Sequence, residues 1–248
     1  MPRRSHDLAR SLKSRITFDP RVEIYPKWSP DGRQIVFRRD LDIFLQPADG
    51  SGEAILVAGS KLLKSPTDWS ADGKYIVYTV SGATGGSSDL WYLRRKQDNG
   101  FEQVPFLQTR FQESSGRISP NGHYIAHLSD ESGRFELFVR PFPEGSGKWQ
   151  VSTNGAVQPR WSRDGKELFY LEGETLMAVE VSTQGTFTAG APKRLFATGN
   201  YQNEWSLSKY EAMPDGRFLI LQPAEGDDAQ PAAIHVVENW AAATQSNK

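Results

Sequence analysis

The sequence contains no cysteine and no long apolar segment, and each shortage excludes a class of protein. Without cysteine, the chain cannot form a disulfide framework, a thiolate nucleophile or a cysteine-ligated metal site. No segment approaches the roughly 20 apolar residues that a membrane-spanning helix needs. The start of the chain is polar, and no apolar segment follows it. We therefore expect neither a signal peptide nor direct membrane insertion.

The chain also lacks an excess of charge of either sign. The chain has 29 basic and 30 acidic residues, which leaves a formal net charge of −1. This balance argues against nonspecific binding to nucleic acid, which requires a basic surplus. Aromatic residues, by contrast, make up 11% of the chain, and there are 22 glycines and 15 prolines. Such a mixture favours short strands joined by turns over long helices.

One unit occurs five times along the chain: a short strand, a turn of the Ser-Pro-Asp-Gly type, and an apolar strand. The five turns end at Gly32, Gly73, Gly122, Gly165 and Gly216, which are 41, 49, 43 and 51 residues apart. Repeats of about 40–50 residues with several short strands predict a β-propeller. Serine, proline and glycine stand at the positions that a type I turn prefers. The repeated acids Asp31, Asp72, Asp164 and Asp215 are therefore assigned to turns and not to catalysis.

Two further strands follow each apolar strand, except that the fifth repeat has no fourth strand after Trp240. We predict an all-β chain, residues 1–248, that folds as one five-bladed β-propeller of four-stranded antiparallel blades. The approximate blades are 22–60, 64–110, 114–153, 157–198 and 207–240. The apolar segment Arg15–Phe18 is predicted to be a strand that completes the last blade, at 14–18, and closes the ring. The alternative is an open fragment of a six- to eight-bladed propeller.

The position three residues before the turn aspartate or asparagine is apolar in every repeat. It is occupied by Trp28, Trp69, Ile118, Trp161 and Ala212. We predict that these side chains lie between adjacent blades, where a tryptophan removes about 150–250 Å² of surface from water.

Trp28-Ser-Pro-Asp-Gly32, followed by an apolar strand, resembles the repeat of TolB-like, WD-repeat-related bacterial propellers. The segments Phe138–Pro143 and Leu176–Val181, and the ending Val236–Trp240, are similar to the C-terminal propeller of bacterial proteins that often carry a Ser/Thr kinase domain. The resemblance implies a sensor module that binds a protein or a small ligand. It also implies a periplasmic or other extracytoplasmic location, as in many relatives.

Loop length varies at the end of the blades opposite the Asp-Gly turns. The segment Ser81–Ser88 lengthens one loop there, and Gly199–Ser206 lengthens a crossing between blades. Variable loops on a rigid scaffold commonly carry function. Tyr201 and Trp205 are aromatic residues of the kind found at binding hot spots. They are candidate binding residues; the alternative is that they fold back over the blade.

The residue preceding the tryptophan position is charged in every repeat. The five residues are Lys27, Asp68, Arg117, Arg160 and Glu211. They lie on the strands predicted to be innermost, so they could form a charged girdle that binds an anion or a carboxylate. The alternative is ion pairing between neighbouring blades.

Sequence motifs for catalysis are missing from the chain. It has no nucleophile elbow, no phosphate-binding loop and no kinase motif. His123 and His127 are four residues apart, which on a strand separates them by about 13 Å, too far to share a metal. We therefore predict a noncatalytic binding propeller without metal, cofactor or catalytic residues. It would be a monomer or part of a larger chain, whose ligand is a protein or a small molecule.

Two alternative functions stay open. One is a propeller enzyme, a hydrolase or lyase, with its site at the channel mouth. The other is a fragment of a receptor-type protein kinase or of a propeller-containing peptidase.

Overall fold

The computed structural model of the chain describes residues 4–7, 12–82, 87–198, 210–213, 215–222 and 233–237. The regular elements in these residues are β-strands, as the composition predicts. The chain divides into two compact units, Met1–Ile118 and Ser119–Lys248. Within the described ranges, no helix is long and apolar enough to cross a membrane.

The first unit begins with a two-stranded hairpin of β1 (Arg4–Asp7) and β2 (Leu12–Arg15). The predicted strand Arg15–Phe18 is therefore wrong in its bounds, because the strand ends at Arg15 and the next residues are irregular. The physical reason is that a polar segment earlier in the chain supplies a ladder partner for residues 12–15. Closure of the last blade by this segment stays a prediction.

Ile16 directly follows this hairpin and leaves the ladder to join a core. Its side chain is buried and packs with Ile35 and Phe37 of the first repeat. Gln46 Nε2 donates a hydrogen bond of 2.9 Å to the Ile16 carbonyl. This bond satisfies a buried backbone acceptor that lies outside the strand.

The first two repeats each fold as a four-stranded antiparallel sheet whose strands follow chain order. Sheet 1 contains β3 (Glu23–Trp28), β4 (Gln34–Arg39), β5 (Asp42–Pro47) and β6 (Ile55–Ala58). Sheet 2 contains β7 (Leu63–Trp69), β8 (Tyr75–Ser81), β9 (Ser88–Arg95) and β10 (Phe101–Leu107). Sheet 1 spans residues 23–58 and sheet 2 spans residues 63–107, so sheet 2 begins one residue before the predicted start at 64. The first unit ends with β11 (Glu113–Ile118).

The second unit continues the third repeat and holds the last two. The third repeat continues with β12 (Tyr124–Ser129), β13 (Glu136–Pro141) and β14 (Trp149–Gln150). The fourth contains β15 (Val157–Trp161), β16 (Glu167–Glu172), β17 (Thr175–Ser182), β18 (Thr188–Ala189) and β19 (Lys193–Ala197). The fifth has β20 (Tyr210–Ala212), β21 (Phe218–Gln222) and β22 (Ala233–Val237), in that order. The long strand β17 pairs with β19 along one part and with β18 at its far end.

Apolar side chains from neighbouring sheets form the cores. In the first unit, Val36 and Leu45 of sheet 1 pack with Ile76 and Tyr78 of sheet 2. Trp69 belongs to the same cluster and is 8% exposed, which confirms its predicted place between two blades. Trp28 is 49% exposed, so the prediction fails for that residue. The reason is its place in the chain, because no earlier repeat in its unit covers it.

In the second unit, one cluster joins the third and fourth repeats and another joins the fourth and fifth. Trp161 packs against the first of these clusters and Ala212 against the second. Both contacts agree with the prediction that the side chain at this position lies between blades.

Candidate functional site

Each Asp-Gly turn is held by a recurring set of hydrogen bonds, seen complete in the second repeat. Gly73 N donates to Ser70 O at 2.9 Å, the closing bond of a β-turn. Ser70 Oγ donates to Asp72 Oδ1 at 2.6 Å and accepts a bond from Tyr75 N at 2.9 Å. Lys74 N also donates to Asp72 Oδ1, at 3.0 Å. The Gly73 φ of 74° lies in the left-handed region, which glycine tolerates best.

The aspartates of the other turns are engaged in the same way. The Ser29 hydroxyl and the Arg33 amide lower the pKa of Asp31 below its ordinary value. In the fifth repeat Met213 replaces the serine, and Arg217 donates through both N and Nε to the Asp215 carboxylate, at 3.2 and 2.8 Å. The structure thus places these acids in turns, as the sequence predicts.

A groove of about 490 Å³ opens between the Asp-Gly turns of the first two repeats. Its apolar lining comes from Pro30, Trp69 and Ala71. The Trp69 indole is held in place, because Nε1 donates to Gly73 O at 3.3 Å while the ring packs in the core. Small-molecule sites in proteins occupy about 300–1,000 Å³. The groove therefore has the size of a ligand site.

Two polar side chains, Gln34 and Arg95, line the same groove. Arg95 Nη2 donates to Gln34 Oε1 at 3.1 Å, and the guanidinium carbon lies 5.0 Å from the centre of the Phe101 ring. Because Gln34 accepts through its oxygen, the two N–H donors of its amide stay available. No hydrogen bond among the described residues uses these donors. The groove therefore presents a guanidinium and an amide that can both donate to a ligand.

The groove rim carries charges of both signs. Lys74 Nζ lies 3.2 Å from Asp72 Oδ2, so these two side chains offset each other. Asp31 uses Oδ1 for the turn bonds from Ser29 Oγ and Arg33 N, at 2.6 and 3.0 Å. Its second oxygen can accept a further bond. The rim therefore adds an acceptor to the donors deeper in the groove.

Three of the predicted girdle residues come together in the first unit. Ile118 N donates to Asp68 Oδ2 at 2.7 Å, and Arg117 Nη1 lies 3.7 Å from Asp68 Oδ1. Burial raises the pKa of Asp68, and the charge of Arg117, the Ile118 amide and the charge of Lys27 oppose that rise. Arg117 also donates to the carbonyl of Thr67, where the β7–β8 ladder shifts register. These contacts tie the third repeat to the second.

The other two girdle residues pair in the second unit. Arg160 Nε donates to Glu211 Oε2 at 3.1 Å, and its Nη1 donates to Pro159 O at 2.8 Å. The guanidinium lies 5.7 Å from the Tyr210 ring, whose hydroxyl donates to Gln158 O at 2.9 Å. Gln158 has a left-handed backbone with φ of 55°, next to a bulge in β15. Ion pairing between repeats is therefore present at these positions.

The histidine pair that the sequence singled out is split between two environments. His123 is exposed in a turn, whereas His127 is buried in β12. Burial lowers the pKa of His127 to about 3, and the nearby positive charges of Arg140 and Lys148 add to this effect. His127 is therefore neutral at pH 7. The described residues contain no group of three or more potential metal ligands.

Tyr201 and Trp205 lie outside the described residues, and so does the middle of the loop Ser81–Ser88. The groove lies at the end of the blades that the sequence assigned to architecture. The sequence held a partial signal for this groove. Trp91, Leu93 and Arg95 alternate along β9, so their side chains share one face of the strand. The packing of sheet 1 beside sheet 2, which brings the Gln34 and Arg95 side chains together, is not readable from either segment alone.

The chain matches no protein-family model and no curated protein. It does resemble solved structures along most of its length. A protein assigned as TolB from Agrobacterium tumefaciens has a TM-score of 0.68 at 13% identity, over 95% of this chain and 83% of that one. A puromycin-hydrolyzing peptidase from Mycobacterium tuberculosis has a TM-score of 0.65 at 16% identity, over 93% of this chain and 40% of the peptidase.

A third similar structure is an oligogalacturonate lyase in complex with manganese. Its TM-score is 0.64 at 14% identity, over 96% of this chain and 68% of the lyase. At these identities the likeness shows the fold alone, and that fold is a TolB-like β-propeller. Proteins with and without enzymatic names share it, so the fold does not assign an activity.

Proposed function

We propose that this TolB-like β-propeller is a noncatalytic binding module that takes its ligand in the groove between the first two Asp-Gly turns. The observation that carries the proposal is the combination of an apolar floor at Trp69 with the donors of Gln34 and Arg95. Ligand sites are typically apolar concavities with a few placed polar groups. The ligand is a protein segment or a small molecule.

The chemistry of the turn aspartates supports a noncatalytic role. A general acid or base works best when its pKa lies near the working pH. The hydroxyl and amide donors around Asp31 and Asp164 lower the pKa of both carboxyls, which moves them away from that range. They are thus suited to hold turns and, at Asp31, to accept a ligand hydrogen bond.

In this proposal, the other predicted binding residues have different roles from the residues of the groove. Tyr201 and Trp205 remain candidates for a second contact surface. Arg117 and Arg160 act as ties between repeats, since each is engaged by neighbouring backbone carbonyls and a carboxylate. A sensor or envelope-associated assembly, which the family resemblance implies, is the setting we propose.

Substitution of Ala71 by arginine tests the proposed site. Ala71 lines the groove, and the fourth repeat already carries Arg163 at the same turn position, so the turn accommodates arginine. The matched control is Ala189→Arg, at an exposed alanine of β18 in the second unit.

The immobilised chain and both variants would be compared for what they retain from a bacterial envelope extract. We expect a retained component that is lost with Ala71→Arg and kept with Ala189→Arg. Equal retention by all three proteins would overturn the groove as the binding site. Chemical conversion of the retained component by the wild-type chain would overturn the noncatalytic assignment.

A further inference from the structure

The donors and acceptors of the groove define the kind of ligand it can hold. Arg95 is the cation to consider first, because none of the described carboxylates lies within ion-pair distance of it. Lys74, by contrast, is paired with Asp72 at 3.2 Å. A guanidinium with unused N–H groups recognises a carboxylate by paired, charge-assisted hydrogen bonds. The adjacent Gln34 amide offers a further donor to the same anion.

The remaining lining restricts what can be attached to that carboxylate. Pro30, Trp69 and Ala71 form an apolar surface that suits an aromatic or branched aliphatic side chain. The second oxygen of Asp31 at the rim suits an N–H donor. A carboxylate, an adjacent apolar side chain and an N–H donor occur together at the end of a peptide. The volume of about 490 Å³ leaves room for more than one residue.

We infer that the groove binds the C-terminal carboxylate of a peptide that ends in an apolar residue, held by Arg95 and Gln34 above Trp69. This inference rests on the proposed function and names the ligand class of the same site. The peptide carboxylate accepts hydrogen bonds from the Arg95 guanidinium, the terminal side chain packs on the Trp69 indole, and a peptide N–H donates to Asp31. A free apolar amino acid shares part of this chemistry, and the experiment separates the two sources.

The test is calorimetric titration of the full chain with acetyl-Ala-Ala-Phe that carries either a free carboxylate or a C-terminal amide. We expect the free acid to bind at least about tenfold more tightly than the amide, because the amide forfeits the charge-assisted bonds. Free phenylalanine is the third ligand, and we expect it to bind more weakly than the acetylated peptide acid. Equal binding of the acid and the amide would overturn the inference, and tighter binding of free phenylalanine would overturn the peptide assignment.

Neighbouring arginines of β9 provide a matched pair of variants. Arg94 points to the other face of the strand, where it pairs with Glu102 at 2.7 Å and is 46% exposed. Arg95→Gln should remove the preference for the acid over the amide, and Arg94→Gln should leave it intact. Gln34→Glu is a second variant, whose carboxylate can still accept the Arg95 bond while neutralising the guanidinium; it should also remove the preference. An unchanged preference in Arg95→Gln and Gln34→Glu would contradict the inference.

The binding site and the ligand class can be tested separately. If neither peptide binds while Ala71→Arg still loses the retained component, the ligand class is wrong and the groove remains the binding site. If Ala71→Arg loses nothing and neither peptide binds, the proposed function itself is wrong.

Discussion

Asn121 Nδ2 donates a hydrogen bond of 2.9 Å to Thr183 Oγ1, and this bond joins the turn of the third repeat to the hairpin between β17 and β18 of the fourth. Asn121 stands where three other turns carry aspartate before glycine in the same Ser-x-Asp-Gly pattern. Its oxygen performs the usual turn role, accepting from Ser119 Oγ at 2.7 Å and from His123 N at 3.1 Å. Its nitrogen is the part that aspartate cannot supply.

Replacement of Asn121 by aspartate should therefore preserve the turn and weaken the hairpin contact. The new carboxylate oxygen would face Thr183 O, which now accepts from Asn121 Nδ2 at 3.3 Å. We expect a loss of about 0.5–1.5 kcal/mol in the free energy of unfolding, measured by urea denaturation. The reverse change Asp164→Asn is the control, since Asp164 accepts its turn bonds from Ser162 and Lys166 through one oxygen. Equal effects of the two changes would argue against a special role for the Asn121 nitrogen.

Trp69 and Trp28 occupy the same position of consecutive repeats but differ in exposure, at 8% and 49%. Trp69→Ala should cost about 3–5 kcal/mol of unfolding free energy, because it leaves a cavity between sheets 1 and 2. Trp28→Ala should cost clearly less, since half of its side chain is already in water. Urea or thermal unfolding of the two variants compares them directly. A similar loss for both would mean that Trp28 is buried in solution.

His127 should make stability depend on pH between neutrality and mild acid. Its pKa is about 3 in the folded chain and about 6.5 in an unfolded chain. Between these values the unfolded chain binds a proton that the folded chain does not, so stability falls as the pH falls below about 6.5. We expect a loss on the order of 2 kcal/mol between pH 7 and pH 4.5 from this group.

The variant His127→Tyr isolates this effect, because Tyr78 and Tyr170 fill the same position in other repeats. Unfolding free energies measured from pH 7 to 4.5 should show a shallower slope in this variant. His123→Gln, at an exposed turn residue, should keep the wild-type slope. If the slope is the same with and without His127, this residue does not cause the acid sensitivity.

Asp68 should contribute through its contacts with the third repeat. Asp68→Ala removes the acceptor of Ile118 N and the charge opposite Arg117. Leaving such groups without a partner typically costs about 1–3 kcal/mol. Asp215→Ala, in a turn with Met213 in place of serine, is the comparison and should cost less in the same denaturation experiment. A negligible effect of Asp68→Ala would mean that this pair does not hold the repeats together.

The repeat pattern made the architecture predictable because its information is local. Turn geometry follows from Ser70, Asp72 and Gly73 within four residues, and each apolar strand follows from its own alternation. The hairpin of Arg4–Asp7 with Leu12–Arg15 was not predictable in this way, since the first strand is polar throughout. Periodicity alone therefore placed the next strand too late in the chain, at Arg15–Phe18.

The candidate site depends on relationships between repeats, which sequence spacing does not reveal. Gln34 and Arg95 are 61 residues apart, and their contact requires sheets 1 and 2 to pack side by side. For the five charged positions, by contrast, sequence spacing did suggest the contacts. Their regular occurrence suggested pairing between repeats, and the Arg160–Glu211 and Arg117–Asp68 contacts have that form.

The most direct test of the account observes the Trp69 indole N–H while ligand is added. This group donates to Gly73 O at the floor of the groove, and its ¹⁵N–¹H resonance can be assigned from its loss in Trp69→Phe. On titration with acetyl-Ala-Ala-Phe, we predict a saturable shift of this resonance, a need for at least about tenfold more peptide to produce it in Arg95→Gln, and recovery of the peptide unchanged. A Trp69 resonance that stays in place while the peptide binds elsewhere, or a peptide recovered cleaved, would contradict the account.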